Sequence, residues 1–399
     1  MKGSVFKRLL PSGKVTWCLQ VEVGRSVEGK RVRLFRSGFP RKADAERELR
    51  RLLVERDAGT LVKPDPHTFG AFLNDWFENH ASRHCAPKTI ERYRQLATYL
   101  LPHIGHLPLA EITPLQIERL LNHLKDAGGR DRKTGKARPL SAKTVRHIAG
   151  LLSVALGTAV RWKLIRTSPM AGVQIPRPEH HEKGALDADQ LYCFLETAKA
   201  RAKWLYPILV FAASTGARRG EMLALRWSDI DMRRGLVRIT KSLEQTRKGL
   251  RLKPTKTGLS RIVPVPKSVV SMLEQLQVEQ EENRQFFGTE YRSDLDLVFC
   301  APNGDYLKPD SVTAKACLIA REAGLKGVGL HTLRHTHGSQ LLSAGVPLPT
   351  VSKRLGHSST WVTANIYSHA MLSDELAAAQ KWDAVFGARI AGVQPEETR

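Results

Sequence analysis

Apolar residues recur at helical spacing along most of this chain, and a few short stretches alternate instead. Phe69, Phe72, Leu73, Trp76 and Phe77 fall at i, i+3, i+4, i+7 and i+8, which predicts a helix with one core-facing stripe, capped by Thr68. Ile90, Tyr93, Leu96, Ala97, Leu100 and Leu101 mark a second helix, with Lys88, Arg92 and Arg94 on its outer side. Thr113-Pro114 opens a third through Leu115, Ile117, Leu120, Leu121 and Leu124, since proline suits the first helical position. Ser141 starts a fourth, with Lys143, Arg146 and His147 on its polar face, and the glycine- and base-rich residues 128–138 before it read as a mobile loop. Residues 15–23 and 31–36 read as short strands, followed by a helix over 42–57. Beyond residue 185, a capping box at Asp187 and Gln190 opens a region of helices around one small sheet, its strands predicted at 236–239, 250–253 and 261–265.

Two proline-rich stretches, VKPDP at 62–66 and QIPRPEHHEKG at 174–184, read as linkers and divide the chain. The expected parts are a strand-and-helix module over 1–63, an all-helical module over 66–172, a mixed module over 185–387 and a tail over 388–399. The fold class is therefore α+β, mainly helical with small antiparallel sheets.

Charge narrows the partner. The 399 residues carry a formal net charge of +24, and residues 1–63 alone hold 16 Lys/Arg against 7 Asp/Glu. Such a balance favours a polyanion, nucleic acid first and an anionic membrane surface second. No apolar run is long enough to span a bilayer, and the first residues lack the apolar core of a secretory signal, so no membrane is expected. Cys18, Cys85, Cys193, Cys300 and Cys317 are odd in number and widely spaced, as in a reduced, cytoplasmic protein.

Several motifs could carry phosphate chemistry. In STGARRGE, residues 214–221, a helix is expected to end at Gly216 and another to begin, placing Arg218 at a helix start. In KPTKTGLSR, residues 253–261, a lysine is expected at a hairpin tip, and the register leaves Lys253 and Lys256 as alternatives. In HTLRHTH, residues 331–337, His331 and Arg334 share one helical face. His331 and His335 have the spacing of a zinc helix, but Thr332 stands where a metalloprotease needs glutamate, so no metal is expected. LGH at 355–357 closes another helix at Gly356, and Tyr367 follows ten residues after His357. Taken singly, each has a bland reading as turn, surface or anchor.

In this order the motifs resemble the tyrosine recombinase (phage integrase) family, over essentially residues 66–387. The resemblance implies that Tyr367 attacks a scissile phosphate to form a 3′-phosphotyrosine, with Arg218 and Arg334 on the non-bridging oxygens. It implies Lys256 as proton donor to the leaving 5′ oxygen, favoured over Lys253, with His331 and His357 completing the set and no cofactor. It also implies an arm-type DNA-binding module of three strands and a helix, a helical core-binding module contacting DNA through Lys88, Arg92, Arg94, Lys143 and Arg146, and a catalytic domain. The implied partners are double-stranded attachment sites of core and arm type, a homotetramer on DNA, an excision or directionality factor and a host DNA-bending protein. The setting would be the cytoplasm of a bacterial or phage-infected cell. A type IB topoisomerase and a non-enzymatic DNA-binding protein remain the alternative readings, while a metal-dependent nuclease would need clustered carboxylates near His331.

Overall fold

The amino-terminal residues build a three-stranded antiparallel sheet, β1 (Gly3–Leu9), β2 (Val15–Arg25) and β3 (Arg31–Phe39), with helix α1 (Lys42–Asp57) packed on it. A register shift between Trp17 and Leu19 lets the adjacent residues Cys18 and Leu19 both be buried, as a bulge re-aims side chains. Leu19, Val21, Leu34 and Leu52 form this small core. The hydrophobic pattern alone does not single out β1, because most of its side chains are exposed. The structure is a computed structural model and describes residues 3–9, 14–25, 31–58, 67–131, 134–176, 184–256, 258–367, 379–380 and 382–387. The chain divides into two compact units, Met1–His180 and His181–Arg399.

The rest of the first unit is helical. Helix α2 (Phe69–Trp76) is capped by Thr68, whose hydroxyl accepts from the Ala71 N–H at 3.3 Å, and it runs through a wide turn into α3 (Ser82–His84). Helices α4 (Pro87–Ala97), α5 (Leu101–Ile104) and α6 (Pro114–Ala127) follow, the last with a capping box between Thr113 and Gln116. Helix α7 (Ala142–Arg161) starts at Ser141 as expected. Phe69, Phe72, Trp76, Leu96, Ile117 and Leu152 belong to the shared core. Two expectations fail here. Leu115 is exposed because it lies two residues, about 200°, around the helix from the buried Ile117. Residues 128–138, expected as a mobile loop, include a short ladder of β4 (Gly129–Arg130) and β5 (Ala137–Arg138), its turn tied by the Asp131 carboxylate accepting from the Thr134 N–H at 2.8 Å. The Glu55 carboxylate on α1 accepts from Arg166 at 2.6 Å, so sheet and helices meet within the unit.

The second unit opens with α8 (Ala188–Arg201), begun by the expected Asp187–Gln190 capping box. Next come α9 (Tyr206–Thr215) and the single turn α10 (Arg219–Met222). Five strands follow: β6 (Ile230–Asp231), β7 (Leu236–Ile239), β8 (Lys241–Thr246), β9 (Gly249–Pro254) and β10 (Arg261–Pro264). They form two sheets, not the one expected: β10-β7-β6, and a separate hairpin of β8 and β9. Residues 255–260 therefore link two sheets instead of closing a hairpin. Helices α11 (Lys267–Phe287), α12 (Pro309–Glu322), α13 (Leu330–Ser343), α14 (Leu348–Leu355) and α15 (Thr360–Tyr367) complete the unit. Helix α9 is apolar all round and sits in the main core. A second cluster, Leu342, Val351 and Leu355 with Ile366 packed on it, holds α13, α14 and α15 together. The Trp382 and Phe386 ring centroids lie 4.4 Å apart, tilted by 38°, in the last described turn. Among the described residues no helix is long and apolar enough to cross a membrane.

Candidate active site

The site assembles where the ends of α9, α13 and α14 meet. Helix α9 stops at Gly216, whose φ of 65° lies in the left-handed region, and a Cβ there would stand 2.5 Å from Leu355 Cδ2. The chain then turns so that Arg218 caps α10, as the sequence predicts. Arg218 donates from Nη1 to the Glu221 carboxylate at 2.9 Å and from Nη2 to the Gly356 carbonyl at 3.0 Å. Arg334, on α13, is only 4% exposed. It donates from Nη1 to the Gly216 carbonyl at 2.5 Å and from Nη2 to the Leu355 carbonyl at 2.6 Å. Gly216 thus bonds Arg334 and Gly356 bonds Arg218, and Leu355, the second anchor of Arg334, directly precedes Gly356. Arg334 is thus oriented by carbonyls of both turns, and Arg218 by the Gly356 carbonyl together with the Glu221 carboxylate.

Glu221 is the counter-charge of this cluster. It is 2% exposed and accepts from Arg261 Nη2 at 2.6 Å and from the Arg218 N–H at 3.0 Å. Burial by itself would raise its pKa, but the hydrogen bond and charge of Arg261, the Arg218 N–H and the Arg218 charge together hold it below the ordinary value. Arg261 also donates to the Arg354 carbonyl at 2.9 Å and packs so tightly on Gly356 that a Cβ there would lie 2.8 Å from its Nη1. The sequence reading missed Glu221 and Arg261. The available signal was the acidic residue at i+3 from Arg218, the spacing of a helix-start box.

His357 lies just past Gly356, and its Nδ1 is 2.7 Å from the hydroxyl of the buried Thr363 on α15. Desolvation first, then the charges of Arg334, Arg218, His335 and Arg261, push its pKa down to about 4, so the ring is neutral near pH 7. His331 stands exposed on α13 one turn before the buried Arg334, its ring 4.7 Å from that of His335. An open cleft beside the cluster is lined by Arg238, Ser260, Arg261, Lys353, Gly356 and His357.

The two lysines separate. Lys253 sits on β9 opposite Ser242 and forms an ion pair with the buried Glu244. Lys256 is exposed in the link between sheets, beside Thr255, whose hydroxyl donates to the Leu259 carbonyl at 2.7 Å. Tyr367 is the last residue of α15, one position after Ile366, which packs on the α13–α14 cluster; its side chain lies outside the described residues.

On the helical module, the pKa of His147 is lowered by partial desolvation first and then by the charges of Arg92, Lys143 and Arg146. Lys88 and Arg94 are used differently: Lys88 lies 3.6 Å from Glu91, and Arg94 stacks over the Phe77 ring at 5.5 Å.

A helix-rich fold with small antiparallel sheets and an arginine–histidine cluster at the junction of three helices defines the class. The phage integrase family model matches residues 185–373, and the model of the phage integrase N-terminal SAM-like domain matches residues 68–125. The chain belongs to this family, the tyrosine recombinases, enzymes that cleave and rejoin DNA. It is similar to a tyrosine recombinase XerC-like protein of Caldanaerobacter subterraneus subsp. tengcongensis, 26% identical over 94% of this chain and 97% of that one. It is also similar to the ICEBs1 integrase of Bacillus subtilis, 28% identical over 69% of this chain and 72% of that one. In fold it resembles the Tn1549 transposon integrase in complex with a circular intermediate DNA, with a TM-score of 0.65, 18% identity and coverage of 79% and 99%. A lambda integrase tetramer bound to a Holliday junction matches with a TM-score of 0.57, 20% identity and coverage of 91% and 94%.

Proposed function

We propose that this recombinase joins specific DNA sites by using Tyr367 as the nucleophile, with Arg218 and Arg334 as the clamp on the scissile phosphate. The Tyr367 oxygen forms a bond to phosphorus while the bond from phosphorus to the 5′ oxygen breaks, leaving a 3′-phosphotyrosine and a free 5′-hydroxyl. His331 takes the phenol proton or holds the phosphate, Lys256 gives a proton to the leaving oxygen, and neutral His357 supplies a hydrogen bond. The intermediate keeps the energy of the broken ester, so the second strand can be joined without ATP. The observation that carries this reading is the pair of guanidiniums, Arg218 and Arg334, held by the carbonyls of Gly356, Gly216 and Leu355. Fixed donors of this kind stabilise charge that grows on the non-bridging oxygens.

Arg92, Lys143 and Arg146, joined by Lys88 and Arg94, are the DNA contacts of a core-binding module over 66–172. Residues 1–63 bind separate arm sites, and residues 185–387 form the catalytic domain. Work on DNA proceeds in a tetramer in the bacterial cytoplasm, with an excision factor and a host DNA-bending protein as accessory partners. The test uses a nicked suicide substrate that traps the cleaved state, in buffer containing a metal chelator. Protein linked covalently to the 3′ end is the expected product; cleavage that leaves no linked protein, or that needs added metal, would contradict the proposal.

A further inference from the structure

Helix α9 ends with carbonyls that have no N–H ahead of them within the helix, and these are bonded from two other helices. The Ala213 carbonyl accepts from His337 Nδ1 on α13 at 2.8 Å. The Ser214 carbonyl accepts from Arg354 Nη2 on α14 at 3.0 Å. Between these two, Arg354 Nε donates to His337 Nε2 at 2.9 Å. The Gly216 carbonyl, two residues on, accepts from Arg334. Arg218 hangs directly from this turn.

Only one ring state satisfies both histidine bonds. A carbonyl can only accept, so Nδ1 carries the proton; a guanidinium N–H can only donate, so Nε2 carries the lone pair. Protonating Nε2 would set two donors against each other. The groups facing the ring disfavour that: burial first, then the charges of Arg354 and Arg334, bring its pKa to about 4, opposed by the Ala213 carbonyl. A half-buried arginine bonded to a buried, neutral histidine is a costly way to fill space, and an apolar pair would pack as well. What the polar pair adds is direction, because it fixes the rotation of the α9 end against α13 and α14. The positive charge of Arg354 also suits the negative end of the helix dipole.

We propose that His337 and Arg354 form a positioning pair that locks the carboxyl end of α9 onto α13 and α14, and thereby sets Arg218 relative to Arg334. The pair touches no reacting atom; it acts through the two arginines. This rests on the proposed clamp role of Arg218 and Arg334.

The test is single-turnover cleavage of the suicide substrate by the full chain at saturating protein, with DNA affinity measured in parallel. The double variant His337→Phe with Arg354→Leu removes both side-chain partners together, so that neither is left facing an unpaired polar group of the other. Arg354→Lys keeps the charge but not the planar fork. Each is expected to cleave about tenfold or more slowly, the scale of a small misplacement of catalytic groups, with affinity within about threefold of wild type. Cleavage within about twofold of wild type by either variant in its folded state would reduce the pair to a packing role and overturn the proposal. Should the double variant fail to fold, Arg354→Lys decides alone. An unmodified chain that forms no adduct would instead overturn the proposed function, which separates the two failures.

Discussion

A guanidinium stabilises a phosphoryl transition state best when its plane is set before DNA arrives, and in the proposed clamp the carbonyls of Gly356, Gly216 and Leu355 would set Arg218 and Arg334 in this way. Lysine at either position would keep the charge and lose the fork. Arg218→Lys and Arg334→Lys are therefore expected to slow cleavage by about 10²–10³-fold with little change in DNA affinity, measured in single-turnover assays. Normal rates in both would remove the clamp from the account. The buried histidines add a pH dependence. His337 and His357 both have pKa values near 4 when folded, against about 6.5 in an unfolded chain. Between these values the unfolded chain binds more protons, so stability is full above about pH 6.5 and is lost as pH falls toward 4. For His337 the loss is on the order of 3 kcal/mol, and for the half-buried His357 less, because solvent screens it. Denaturant midpoints should fall over that window, and His337→Gln should flatten the fall; identical slopes would contradict it.

The elements that matter most end abruptly, and abrupt ends are visible in sequence. Gly216 and Gly356 both adopt left-handed φ at helix ends, and both were legible as terminators that place Arg218 and His357. The i, i+3 relation of His331 and Arg334 was equally legible. What could not be read was long-range pairing. Strand β8 carries Lys241, Glu244 and Thr246 without a strong apolar alternation, so its hairpin with β9 was missed and residues 253–261 were taken for a hairpin tip. Glu221 and Arg261 escaped for the same reason, since their ion pair spans 40 residues of sequence. Strand pairing also bears on the lysines, because Lys253 is held by Glu244 while Lys256 is exposed. Lys256→Ala is expected to slow cleavage by about 10²–10⁴-fold, the usual worth of a general acid, and Lys253→Ala by much less. A substrate with sulfur at the bridging 5′ position, whose thiolate leaves without a proton, should restore Lys256→Ala. Failure of that rescue would assign the proton to another group.

For the whole molecule, charge and connectivity set the expectation. A net +24 over 399 residues, with a surplus concentrated in residues 1–63, suits several separate contacts with DNA phosphates. The amino-terminal sheet and helix share a unit with the helical module, and Glu55 meets Arg166 there. That ion pair, with its arginine more than half exposed, is worth at most about 1 kcal/mol, a small term beside the helical module's own core. A protein beginning at Asp65 should still bind and cleave the core site, yet lose recombination between full attachment sites. Full-site recombination at the intact rate by that shortened chain would remove arm binding from the account.

Covalent chemistry at Tyr367 can be isolated by a change of one atom. Tyr367→Phe removes a single oxygen and no charge. On the suicide substrate it should bind with unchanged affinity and form no covalent adduct, while the unmodified protein yields an adduct whose DNA-linked peptide contains Tyr367. An adduct at normal yield from Tyr367→Phe, or linkage to a different residue in the unmodified protein, would contradict the account.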